Sequence, residues 1–268
     1  LSVVATPSAY ALLREFVANS PRRHYLPDTE GIELSNQAAL VREVVVTVQA
    51  CLEPDLHALR ATESAAESED PNWTTAPGPR GVAAVAQYDE ILGTLLDAAP
   101  LLESGRMSSV WTLLGSATDR LRILAALEPP RGDDVARQLA ASSAHARARL
   151  VAAAIADDVD LGLPATTCPT GGLSTVPAPA LPTPTPAIAN LIERIDLGST
   201  TTLDGSTQET DYDYLAMVGG FQFRLGLEII RAATDSLSEI ASLAAGADVW
   251  TEKADDVRAA VEFAWECV

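Results

Sequence analysis

The chain has 268 residues and a formal charge of −19, with 37 acidic side chains against 17 arginines and a single lysine, Lys253. A chain this acidic repels phosphate backbones and anionic head groups, which excludes nucleic acid and anionic lipid surfaces as expected partners. Apolar residues make up 47% and aromatics only 5%, so a folded core built from Ala, Leu and Val is expected.

Two causes account for the near-absence of lysine. One is the codon content of a GC-rich genome. The other is a halophilic setting, in which a dense carboxylate surface stays hydrated and the apolar stem of Lys becomes a liability. The charge is unevenly placed: residues 1–150 carry −6 and residues 151–268 carry −13. No run of about 18 uncharged apolar residues occurs, so no membrane-spanning segment is expected. The stretch Ser20–Leu26 holds the paired Arg22 and Arg23 of an export signal, but Asp28, Glu30 and Glu33 follow where an apolar region is required. The chain opens on Leu1 and not Met, which fits a removed leader or a trimmed sequence.

Helical periodicity dominates. Pro7 opens a helix over Ser8–Ala18, since proline suits a first helical turn. Residues 36–52 form the next, with Leu40, Val44, Val48 and Cys51 on one stripe. The β-branched triplet Val44–Val46 competes as a strand. Pro54 is expected to stop this helix and restart one that runs to Thr62. Residues 63–80 are polar and acidic and read as an exposed loop, within which Asn72-Trp73-Thr74 is a glycosylation acceptor pattern.

The strongest pattern follows. Val85, Leu92 and Ala99 alternate with Tyr88, Leu95 and Leu102, and Val110, Leu113, Ala117, Leu121 and Leu124 repeat the seam on the next helix. Gly105 between them suits a tight antiparallel connection. Pro129-Pro130 stops the second helix, and Asp133-Asp134 starts another that reaches Ala156, with acids at its positive dipole end.

Residues 162–187 then change character, with seven prolines ending in PAPALPTPTP. Such a chain is extended and semi-rigid and reaches across distance without a core of its own. It is expected to lie against a partner subunit or the bundle's own surface. A short helix at Ile188–Ile195 comes next, then a Thr/Gly/Asp stretch over 197–211 with room for a hairpin. A long helix from Tyr212 to Ala245 follows. Gly219-Gly220 weakens it, and Phe221–Leu225 alternates like a strand; a helix packed closely at the glycines is the preferred reading. The last helix, Val249–Trp265, opens near Asp248 and should turn Trp250, Val257, Val261 and Trp265 inward. Asp255-Asp256 resembles the helix start at Asp133-Asp134.

The fold expected is therefore all-α: an antiparallel helical bundle over residues 1–161, a proline-rich crossover or arm over 162–187, and a smaller C-terminal helical unit over 188–268.

Chemistry is sparse. The histidines are His24, His57 and His145. Glu53 and His57 share a helix face, but a carboxylate-bridged di-iron bundle needs Glu-x-x-His on two helices, and that spacing does not occur. Asp157, Asp158, Asp160, Asp211 and Asp213 lack the calcium-loop pattern of alternating ligands, central Gly and terminal Glu. Cys51, Cys168 and Cys267 form no CxxC cluster, so no zinc site is expected; one disulfide with one thiol left over and three thiols are both open. No GxSxG turn, Ser-x-x-Lys pair or phosphate-cradling Gly loop is present. No catalytic, metal or cofactor-binding residue is assigned.

The leading expectation is a non-enzymatic structural or interaction subunit of a larger assembly, surface or virion-like and extracytoplasmic. Its partners would be protein subunits, a homo-oligomer included. The candidate interaction residues are Trp73, a tryptophan in a polar loop, and the arm's Pro177, Pro179, Pro182, Pro184 and Pro186. The alternative is a small-molecule binder with an apolar cavity among the helices. A third reading, an enzyme, has only Glu53, His57 and His145 as imidazole and carboxylate candidates.

Overall fold

In the computed structural model, the residues described are 8–19, 30–66, 78–156, 181–203, 212–242 and 247–267. They form eight helices and, among the described residues, no strand: α1 (Ala9–Asn19), α2 (Glu30–Ala66), α3 (Gly78–Glu103), α4 (Met107–Ala126), α5 (Gly132–Ala156), α6 (Pro186–Leu203), α7 (Tyr212–Ser242) and α8 (Ala247–Glu266). The fold is all-α.

The antiparallel turn between α3 and α4 shows how the local sequence sets geometry. Gly105 adopts φ 71°, a left-handed conformation open to glycine. Its amide donates to the Leu102 carbonyl, and the Arg106 amide to that of Leu101, which together make the paired bonds of a Schellman cap. The chain reverses within three residues, so the predicted seams of the two helices face each other. Val85, Tyr88, Leu92, Leu95, Ala99 and Leu102 are all buried, as are Val110, Ala117, Leu121 and Leu124, while Leu113 is only partly buried.

One continuous core runs through these helices and takes in the C-terminal ones. α2 packs on α3 and α3 on α4, while α7 touches α2, α3, α4, α6 and α8. The reason lies in α7's sequence: Val218, Phe223, Leu225, Leu227, Ile229, Ile230, Ala233, Leu237 and Ile240 are buried on a broad face. Its Phe221–Leu225 run is helical, with Phe221 and Arg224 outward and Gln222, Phe223 and Leu225 inward. The glycines pack closely, as expected: a Cβ on Gly219 would meet Leu34, Leu102 and Gln37. Tyr88 of α3 and Thr234 of α7 share a buried hydroxyl contact of 2.9 Å.

Several local expectations are corrected. α2 continues through Pro54, because Cys51, Leu52, Leu56 and Leu59 are buried on either side and tertiary packing outweighs one missing backbone bond. Val44 and Val45 are buried on that helix and Val46 is exposed, so the triplet is not a strand. Residues 197–203 extend α6 where a loop or hairpin was expected. Asp255-Asp256 lies within α8 rather than at a helix start. Trp265 is 37% exposed rather than turned inward, stacked under the Arg224 guanidinium 5.1 Å from its ring centroid.

Candidate functional site

A groove of about 420 Å³ lies where α1, α2 and α8 meet, lined by Ser8, Cys51, Leu52, Val249, Glu252, Lys253, Asp256 and Val257. It holds the only lysine, a cysteine and two acids, the residue types from which a reactive site is made. α8 supplies Glu252, Lys253 and Asp256 because a four-residue span returns to one helix face. α1 closes the groove's end, held against α8 by an edge-on contact of Tyr10 with Phe263 at 5.6 Å.

The geometry shows what each group does. Asp256 accepts from the Ser8 hydroxyl at 2.5 Å and from the Ala9 and Tyr10 amides at 2.6 and 3.4 Å. Ser8 Oγ in turn accepts from the Ala11 amide at 3.2 Å. The first turn of α1 thus has its amides satisfied partly by its own cap and partly by another helix. Lys253 forms an ion pair with Asp55 of α2. Burial, and then the negative charge of Asp256, push the Cys51 thiol up to about 11, an effect that the nearby Lys253 only partly offsets. That thiol stays protonated at neutral pH and is a poor nucleophile. Asp256 is thus spent on holding α1 to α8, and Lys253 on holding α8 to α2.

No family model matches this chain, and no curated protein or solved structure gives a significant match.

Of the residues predicted from sequence, Trp73, Pro177 and Pro179 lie outside the described residues, as do His24, Asn72 and Cys168. Pro186 is the first residue of α6, behind Thr185, whose hydroxyl and carbonyl accept from the Ile188 and Ala189 amides. Pro182 and Pro184 line a groove of about 160 Å³ with Pro129, Pro130, Arg122 and Glu128. The last turn of the arm before α6 therefore lies on the corner between α4 and α5, the bundle's own surface. Glu53 and His57 are exposed on α2, while His145 belongs to α5. Among the described residues no group of three or more His, Cys, Asp or Glu is placed to hold a metal ion. No described helix is long and apolar enough to cross a membrane.

A cavity between α2, α3, α4 and α7, bounded by Leu95, Leu102, Val110, Leu114, Gln222 and Phe223, measures about 20 Å³. That is room for about one water and not for an organic ligand, which needs a few hundred Å³.

The feature that sequence reasoning missed is the surface of α5. Val135 and Ala136 are buried and Leu139 partly so, seating the first turns of the helix on α3. Beyond Leu139 no described position up to Ala153 is buried, and Leu150 is 60% exposed. Over 140–144 these positions go round the helix, and beyond them Ala146, Arg149, Leu150 and Ala153 present one exposed face. A second exposed apolar area sits on α6 and α7. Arg194 lies 5.5 Å over the Phe221 ring and bonds Glu228 at 2.5 Å. Leu197, one turn along α6 from Arg194, and Met217, one turn before Phe221, are 66% and 65% exposed.

Proposed function

We propose that the protein is a non-enzymatic structural or interaction subunit of a larger assembly, acting through exposed helical surface. The observation that carries this reading is the departure of α5 from the core after Leu139. An isolated helix of this length is marginal in water even when Ala-rich, and a core-facing stripe is what normally stabilises it. Residues 140–153 have no such burial at their described positions, and Leu150 among them is 60% exposed. A helix of this composition gains its stability by docking on another surface. The groove at Asp256 supports the same reading, since Asp256 and Lys253 are both engaged in joining helices. A surface or virion-like location and a high-salt setting belong to the proposal through composition alone.

The test is a photo-crosslinking residue at position 150, with irradiation in extract of the source organism. Reproducible crosslinking to one defined polypeptide is the expected result. Absence of any crosslinked product above the monomer overturns the reading.

A further inference from the structure

We infer that the start of α7, residues 212–218, is a hinged segment that opens from the bundle about Gly219 and Gly220, and that its opening hydrates the Gln37 carboxamide beneath. The device is built into the fold and stands apart from the interaction reading above.

Unmet polar atoms are concentrated where α2 meets α7. Among the described residues, four buried side-chain nitrogen or oxygen atoms have no hydrogen-bond partner, and three of them belong to Gln37 of α2 and Gln222 of α7. Gln37 is 1% exposed and lacks a partner for its oxygen and its nitrogen alike. An amide buried unpaired is among the larger penalties a core can carry, and contact with water removes it. The Gln37 carboxamide lies against the two glycines. A Cβ at Gly219 would sit 3.3 Å from its Oε1, and one at Gly220 would sit 3.4 Å from its Nε2.

The glycines themselves are the weak point of the helix. Gly219 has a packing reason, since a Cβ there would collide with the Leu34 side chain and crowd Leu102. Gly220 has none: only the end of the Gln37 side chain lies near it. Two glycines in succession lower helix stability where they stand, because the chain gains the most freedom there on unwinding. The described positions before them are held lightly. Leu215 and Val218, at 9% each, are the least covered of the buried apolar residues described, and Met217 is 65% exposed. The positions after them are held firmly. Gln222 Nε2 donates to the Met107 carbonyl at 2.9 Å, and Phe223, Leu225 and Leu227 are at most 1% exposed. The helix therefore divides at the glycines, and opening would uncover Leu34, Leu102, Leu215 and Val218, apolar surface that the closed form hides.

The experiment is amide hydrogen exchange on the purified full-length chain. In the wild type, the amides of residues 216–220 should open about a hundredfold more often than those of residues 227–230, and as one unit. Gln37→Met keeps the side chain's length and removes the unpaired amide, so it favours the closed form over any state in which Gln37 is wet. It should slow exchange at residues 216–220 about tenfold. Ordinary fraying of α7 that leaves Gln37 covered would not respond to that substitution. Gly220→Ala, for which there is room, should also slow these amides. Gly226→Ala, whose Cβ would make ordinary contacts with Leu95 and Leu114, lies beyond the hinge and should leave them unchanged. If Gln37→Met does not fold, the contrast between the two glycine substitutions decides. Residues 216–220 as protected as 227–230 in the wild type, indifference of 216–220 to Gln37→Met, or equal slowing by Gly220→Ala and Gly226→Ala overturns the inference.

Discussion

Asp256, halfway along α8, closes the N-terminus of α1, its carboxylate 2.6 Å from the Ala9 amide and 2.5 Å from the Ser8 hydroxyl. The two segments lie at opposite ends of the chain, so this contact ties the first described helix to the last. It also explains why an acid stands in the middle of α8 beside Asp255, which pairs instead with Arg258.

Removing that carboxylate should loosen α1 selectively. Asp256→Ala leaves the Ala9 and Tyr10 amides without their acceptor and is expected to cost about 1 kcal/mol, the usual worth of a helix cap. Hydrogen exchange should show faster exchange at Ala9 and Tyr10 with little change in α7. Equal acceleration in both helices, or none in α1, would contradict the role assigned to Asp256.

The buried pair of Tyr88 and Thr234 gives an ordering of two substitutions. The Thr234 hydroxyl donates to the Ile230 carbonyl at 2.9 Å, which uses its only proton, so the Tyr88 hydroxyl is the donor in their contact. Tyr88→Phe removes that donor and leaves Thr234 bonded to Ile230, at a cost of about 1 kcal/mol. Thr234→Val strands the Tyr88 hydroxyl in the core with no acceptor and should cost more, about 2 kcal/mol. Urea unfolding of both variants checks the order, and a larger loss for Tyr88→Phe would refute the donor assignment.

Cys51 makes stability depend on alkaline pH. Its folded-state value, about 11, lies above the ordinary value of 9.0, so the unfolded chain releases this proton first as pH rises. The contribution is fully present below pH 9 and is lost as pH climbs from 9 towards 11. Burial also raises Tyr88 above its ordinary value, and its effect starts only beyond pH 10. Between pH 9 and 10, the wild-type chain should therefore lose more stability than Cys51→Ala in urea unfolding. In the folded protein at pH 8, iodoacetamide should label the exposed Cys267 well before the buried Cys51. Parallel pH slopes for wild type and variant, or simultaneous labelling, would be the contrary result.

Much of the secondary structure was readable from local chemistry, because the signals that set it act over a few residues. Gly105 offers the left-handed conformation that a tight reversal needs, Asp133 and Asp134 sit at the positive end of α5, and the three- and four-residue spacing of Val85 through Leu102 marks one buried face. Where local rules failed, neighbours decided. Pro54 breaks a backbone bond, yet buried side chains before and after it hold α2 together. The run Phe221–Leu225 satisfies both a two-residue and a helical period, and only the packing of Phe223 and Leu225 into the core selects the helix.

What the sequence by itself determined, then, was an all-helical chain with defined breaks and an acidic exterior, because periodicity and charge are properties of the residues alone. Which faces meet was decided by the tertiary structure. An apolar stripe states that a helix has something to bury and is silent on the partner, so α7's position against five other helices had no local signature. The same holds for Asp256, whose acceptor role depends on an amide 247 residues away. It holds most of all for α5: alanine contributes little whether covered or exposed, so an Ala-rich sequence reads alike inside a bundle and outside one.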